Sequence, residues 1–130
     1  MKLLLDTQML IWLLFWPETL PHNAREIISE EKNDLCFSPV SLWEVSIKSS
    51  QNKPDFQLNA RVMQEYLLDK GCLEVSITSS HTITAGELPM FHKDPFDRLL
   101  IAQAVVENLF LLTSDKKITE YPALVIFTPR

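Results

Sequence analysis

The sequence predicts an α/β domain built on a parallel sheet of about five strands, with helices over both faces. Three observations carry that expectation. Short apolar runs alternate along the chain with longer helix-like segments, the pattern of linked β–α–β units. The strand candidates are apolar at consecutive rather than alternating positions, as strands covered on both faces must be. The chain has 130 residues and two Gly against eight Pro, which suits one domain over 1–130 with its own core and little flexible linker.

Taken in order, Leu3-Leu4-Leu5 belongs to a strand over 2–5 that Asp6 stops. Residues 7–15 then form a helix that is apolar almost all round, and so is buried or at an interface. Leu10, Trp12, Leu13, Phe15 and Trp16 spread too far around it to face one core, which points some of them at a partner. Pro17 and Pro21 end this helix. A short helix over 22–31 turns Ile27 and Ile28 inward, and Leu35-Cys36-Phe37 is the second strand. Ser38-Pro39 opens a helix running to about residue 50, followed by a polar loop over 51–57 that contains Pro54. Leu58, Val62, Tyr66 and Leu67 share one face of an amphipathic helix over 58–70, with Gly71 just past its cap. A strand over 73–77, a helix over 79–87 and a loop over 88–93 come next. A strongly apolar helix over 95–108 leads into a strand over 109–112. A helical turn over 116–120 and a last strand over 125–127 complete the chain, which contains no internal repeat.

Several classes are excluded early. Cys36 and Cys72 are too few for a disulfide framework or a four-ligand zinc site, and their apolar flanks suit buried thiols. The runs Leu3–Leu5 and Met9–Trp16 resemble the start of a signal peptide, but Asp6 divides them and no small-residue cleavage site follows before Pro17. Neither run reaches the ~20 apolar residues of a membrane helix. The expectation is a soluble, cytoplasmic protein with no membrane partner. The 12 bases and 17 acids give a net charge of -5, which at first sight opposes a nucleic-acid binder.

Open parallel sheets bind ligands outside the carboxyl ends of their strands. Asp6 follows the first strand, and Glu44 lies early in the helix after the second. Asp97 starts the helix before the fourth strand, and Asp115 follows that strand after Thr113 and Ser114. Each acid has a structural explanation. Ser41-Leu42-Trp43-Glu44 fits a capping box, and Asp94-Pro95-Phe96-Asp97 is a favourable helix start. Asp6 and Asp115 fit caps as well, and Glu44 with Lys48 fits a helical ion pair. Capping does not require the four to converge, whereas a site for Mg²⁺ or Mn²⁺ does, because such hard ions take carboxylate and water oxygens. Their apolar flanks tether these acids to the edge of a core, where carboxylates packed together would repel without a cation.

These stretches also carry a resemblance. Leu4-Leu5-Asp6-Thr7, the segment Ser41 to Lys48, the segment His92 to Ala104 and Leu112-Thr113-Ser114-Asp115 occur in the order found in PIN-domain proteins. The chain most closely resembles VapC-type toxin ribonucleases of bacterial type II toxin–antitoxin pairs. The third stretch is the specific one; Leu-Asp-Thr alone is weak. The resemblance implies a single PIN-like domain and a metal-dependent endoribonuclease that hydrolyses RNA phosphodiester bonds with Mg²⁺ or Mn²⁺. It implies a cognate antitoxin protein and a homodimer. Asp6, Glu44, Asp97 and Asp115 become the acidic quartet, with Thr7 and Thr113 as supports behind it. Gln8, where many relatives carry His or another residue, and the segment 51–55, which replaces a Gly-containing turn, depart from the pattern and bear on substrate preference.

In this reading Asp6 and Asp97 are the most direct metal ligands. Glu44 and Asp115 bind directly or through water, one of them as general base. Arg98 contacts a phosphate or pairs with an acid, and Lys48 does likewise or forms a solvated ion pair with Glu44. His92 and Asp94 sit at the site's edge and shape its loop, Asp94 as a helix cap. His81 and His92 have no plausible nucleophile partner, and His22 belongs to an exposed helix. A haloacid-dehalogenase-like phosphatase needs a second Asp where Gln8 stands, and a receiver domain needs a Lys that Phe127-Thr128-Pro129-Arg130 lacks. The alternatives are a non-toxin PIN nuclease and a catalytically silent PIN-like binding module. The charge also reads differently once the quartet is set apart: taking four of the 17 acids away leaves 13 against 12 bases. The excess sits in one site that a divalent ion would neutralise, with Lys48, Lys93, Arg98, Lys116 and Lys117 nearby in sequence to meet phosphates.

Overall fold

The strands β1 (Lys2–Leu5), β2 (Asp34–Phe37), β3 (Leu73–Glu74), β4 (Phe110–Thr113) and β5 (Val125–Phe127) lie parallel in one sheet, in the order β3-β2-β1-β4-β5. The structure is a computed structural model that describes residues 1–51 and 57–130, so most of the polar loop expected over 51–57 lies outside the described residues. Leu4 of β1 sits between Cys36 of β2 and Leu111 of β4, which makes β1 the fully paired centre. Leu3, Leu4 and Leu5 are all fully buried, each contributing roughly 2 kcal/mol of hydrophobic stabilisation.

Alternation along β1 divides the core into two layers. Leu3 and Leu5 pack on one face with Met9, Ile11 and Trp12 of α1 (Thr7–Phe15), Ala24 of α2 (His22–Ser29) and Met63 and Leu67 of α4 (Ala60–Asp69). Leu4 packs on the other with Leu100, Ile101 and Ala104 of α6 (Pro95–Glu107), beside Ile118 and Tyr121. The helix α5 (Ser79–Glu87) lies against α6. The helix α3 (Pro39–Ser49) bridges the layers, with Val45 in the first and Val40 in the second.

Two expectations are corrected. The third strand spans two residues rather than 73–77, because β2 ends at Phe37 and the chain turns into α3. Val75 N–H to the Phe37 carbonyl, at 2.9 Å, is the last rung available. In α4 the inward pair is Met63 and Leu67, four apart, while Tyr66 is 47% exposed. In α1, Leu10 and Trp12 are buried within the chain, and the Arg130 guanidinium lies 5.0 Å from the Trp12 ring centroid. Trp16 remains partly exposed.

Helix ends follow local chemistry. Gly71, at φ 85°, closes α4: its N–H reaches the Leu68 carbonyl and that of Cys72 reaches Leu67, both at 3.0 Å. Asn108, at φ 56°, ends α6 in the left-handed conformation and delays β4 by one residue relative to the expected 109–112. Cys36 and Cys72 are buried free thiols. Among the described residues no helix is long and apolar enough to cross a membrane.

Candidate active site

The chain leaves β1 toward β2 on one side, while β4 flanks β1 on the other. The carboxyl ends of β1 and β4 therefore bound the crevice where a parallel sheet of this kind takes ligands. A cavity of about 170 Å³ lies there, lined by Asp6, Thr7, Gln8, Glu44, Lys48, Asp94, Asp97 and Asp115. All four carboxylates expected from the strand ends share it.

Capping and convergence prove compatible, because a carboxylate has two oxygens. Asp6 Oδ1 caps α1 by accepting the Met9 N–H at 2.9 Å, while Oδ2 accepts from the Thr113 hydroxyl at the end of β4. Asp115 Oδ1 caps the short 3-10 helix Lys116–Glu120 through the Lys117 N–H at 3.0 Å, and Oδ2 meets His92. Asp94 caps α6, accepting from the Phe96 and Asp97 N–H groups at 2.8 and 3.2 Å, which sets Asp97 in the first turn. Thr113 links the two strand ends, since its Oγ1 also accepts the Asp115 N–H at 3.0 Å.

Glu44 is different. The capping-box reading of Ser41-Leu42-Trp43-Glu44 is corrected: α3 starts at Pro39, and Ser38 is its cap, accepting the Val40 N–H at 3.1 Å. Ser41 instead faces Thr7, whose hydroxyl donates to it at 2.9 Å and joins α1 to α3. Glu44 thus sits in the second turn, buried, with no backbone to cap. Its Oε2 pairs with Lys48 Nζ at 2.8 Å, while Oε1 is buried without a hydrogen-bond partner among the described residues. An orphaned carboxylate oxygen is costly. In a cavity whose other donors are carboxylates, it fits a hard divalent cation.

His92 does not line the cavity but contacts two of its carboxylates. Its Nε2 is 2.9 Å from Asp97 Oδ2 and 3.1 Å from Asp115 Oδ2, and these three residues each offer a ligand atom within 4.8 Å of the others. The Asp94 N–H approaches His92 Nδ1 at 3.4 Å, which favours a proton on Nε2 and a hydrogen bond to the two carboxylates.

Arg98 pairs with no acid among the described residues. It is buried, and its guanidinium donates to the carbonyls of Ala85, Leu88 and Pro89 at 2.7, 3.0 and 3.0 Å. It fastens the segment 88–93 that carries His92. Tyr121 completes the fastening: its hydroxyl accepts the His92 N–H at 2.7 Å. Nothing in the sequence marked Tyr121, a lone aromatic in a loop, or the Thr7–Ser41 contact. Both depend on segments brought together from distant parts of the chain.

Electrostatics favour a cation among these carboxylates. Burial pushes the Asp97 carboxyl up to about 8, with Asp94, Asp6, Glu44 and Asp115 adding repulsion. Burial likewise raises Asp6 to about 6, against the pull of the Thr113 hydroxyl and Met9 N–H.

The PIN domain family matches residues 3–124. The chain is 28% identical over 119 residues to Ribonuclease VapC22 of Mycobacterium tuberculosis, covering 91% of this chain and 90% of that protein. Its fold resembles that of VapBC2 from Rickettsia felis, solved bound to a DNA fragment of its promoter, with a TM-score of 0.73, 18% identity and 98% of both chains covered. VapBC-5 of M. tuberculosis, a member of the VapBC family of toxin–antitoxin systems, matches with a TM-score of 0.65 and 14% identity over 99% of this chain and 98% of that one. The chain belongs to the PIN domain family.

Proposed function

We propose that this PIN domain protein is a VapC-type toxin: a metal-dependent endoribonuclease held in check by a cognate antitoxin. The single observation that carries the catalytic part is the convergence of Asp6, Glu44, Asp97 and Asp115 on one cavity, with Glu44 Oε1 buried and unpaired among the described residues. The name of the M. tuberculosis relative and the toxin–antitoxin neighbours support the ribonuclease and antitoxin parts.

Asp6, Glu44, Asp97 and Asp115 would hold Mg²⁺ or Mn²⁺. A bound divalent ion lowers the pKa of water and relieves charge on a phosphodiester. The protein's own groups do the rest. Thr113 and the Met9 N–H fix both oxygens of Asp6, so it presents its charge without reorganising. Thr7 and Ser41 hold α1 against α3 and keep Glu44 in register with Asp6. His92 donates between Asp97 and Asp115 and sets their spacing. Asp115, the more exposed of the two carboxylates contacting His92, would accept a proton from an attacking water. Lys48 offers a cation to the phosphate at the cavity wall.

Two apolar surfaces support partners. Trp43, 61% exposed, meets Phe96 edge to face at 5.3 Å and lines an apolar groove with Val40, Ala85, Pro95 and Leu99. Trp16 and Tyr66 flank Phe15 on the opposite layer, each at 6.3 Å. The first would seat a second copy and the second an antitoxin segment, since exposed aromatics of this kind commonly anchor interfaces.

The test is RNA cleavage by the purified chain with Mg²⁺ or Mn²⁺, with and without chelator. Cleavage that needs the ion is expected. Cleavage persisting in excess chelator, or none with the ion present, overturns the proposal.

A further inference from the structure

We propose that the groove leading out of the acidic cavity along α3 is a nucleobase subsite, seating the base beside the cleaved phosphate. Phe96 would be its stacking wall, and Gln8 and Gln51 would read the base edge. This rests on the ribonuclease reading above and adds a determinant of cleavage position.

The groove encloses about 380 Å³ and is lined by Gln8, Glu44, Ile47, Lys48, Gln51, Asp94 and Phe96. Gln8, Glu44, Lys48 and Asp94 line the acidic cavity as well, so the two form one continuous channel. A phosphodiester at the acids places its neighbouring nucleoside in this groove. The walls suit such an occupant. Phe96 is half-buried and lines both this groove and the apolar groove of Trp43, whose ring braces it edge to face; any base has a π-face for its side toward the acids. Ile47 supplies apolar surface on the facing helix. Gln8 and Gln51 are exposed, and neither side chain bonds to any described residue. A glutamine amide offers a donor and an acceptor side by side, the pattern that reads a base edge. Lys48 stands where groove and cavity join, as a phosphate linking the two would require. A phosphodiester with its base therefore uses every type of group present: cation, amides, flat ring and carboxylates.

The first test maps cut sites across a pool of randomised RNA for the wild type, Gln8→Ala, Gln51→Ala and Phe96→Leu. The wild type should prefer one base at one position flanking the cut by about tenfold or more, the discrimination a good edge contact provides. Gln8→Ala and Phe96→Leu should reduce that preference to under about threefold, with Mn²⁺ affinity by calorimetry unchanged. No preference in the wild type, or one that survives all three substitutions, overturns the proposal. The second test does not depend on cleavage. An oligonucleotide carrying 2-aminopurine is titrated with the protein and Ca²⁺. Stacking should quench its fluorescence with the wild type and not with Phe96→Leu. Equal quenching by both, or none by either, overturns the subsite even if RNA is cleaved. Quenching without cleavage instead overturns the enzymatic reading. If a basic peptide displaces neither the oligonucleotide nor the quenching, the groove belongs to nucleic acid; displacement with no loss of base preference in the variants assigns it to a protein partner and overturns the proposal.

Discussion

The acidic cavity has two unlike walls. Asp6 and Glu44 form one, on β1 and α3, and both are nearly inaccessible, at 5% and 4% exposure. Asp97 and Asp115 form the other, and their side chains are 18% and 39% exposed. The first wall is held by short-range chemistry inside the core: a helix cap, the Thr113 hydroxyl and the Thr7–Ser41 contact. The second is held at a distance, through His92 and the loop that Arg98 and Tyr121 fasten. Proximity to the core fixes an acid strongly but desolvates it. Asp97, in the first turn of α6, is desolvated as well, and its carboxyl is raised further than that of Asp6; only Asp115, just after β4, keeps more of its water, and His92 is the device that holds it.

The largest expected effect tests whether both walls serve one ion. Asp6→Ala and Asp97→Asn should each lower metal-dependent RNA cleavage by at least ~100-fold while the circular dichroism spectrum stays that of the folded protein, because each removes an oxygen donor. Full cleavage by either purified variant would separate that wall from the chemistry.

Next comes the fastening of the second wall. Arg98→Ala leaves the carbonyls of Ala85, Leu88 and Pro89 without their donor and should destabilise the fold by about 3 kcal/mol in urea denaturation. Tyr121→Phe removes the hydroxyl that meets His92 and, at 3.4 Å, Arg98, and should cost about 1 kcal/mol. Equal effects would mean that the Arg98 contacts contribute little.

The pH dependence sharpens the comparison. Asp6 and Asp97 have raised pKa values when folded, about 6 and about 8, so the native state keeps protons that the unfolded chain loses from about 3.8 upward. Stability of the metal-free protein should therefore fall as pH rises from 4 to 8. Mg²⁺ or Mn²⁺ should restore more of it at pH 8 than at pH 5, because the ion binds the ionised acids. A melting temperature of the metal-free protein that climbs across this range would contradict the burial of the two carboxylates.

A small effect belongs to Lys48. Lys48 is half open to solvent, but its partner Glu44 is buried and would lose its ion pair, so Lys48→Met should lower stability by about 1 kcal/mol in the same denaturation assay. A larger loss would make Lys48 the main support of Glu44.

Much of this was legible in the sequence for a local reason. Asp6, Asp97 and Asp115 are each tied to a strand end or helix start, and strand ends in a parallel sheet lie along one edge. Apolar runs therefore placed three acids on that edge before any contact was known. Continuous runs such as Leu3-Leu4-Leu5 also set the sheet type, since only a strand covered on both faces tolerates them. Tertiary structure decided what depends on distant segments meeting. It cut the third strand to Leu73–Glu74, because β2 leaves no partner beyond Phe37. It turned Tyr66 outward and Met63 inward, since facing helices choose which side of α4 is covered. It also set the Arg98 guanidinium on the loop carbonyls and His92 against two carboxylates. Spacing along the chain tells where an acid starts or ends an element. Only the packing of elements far apart in sequence tells which of its oxygens remains free.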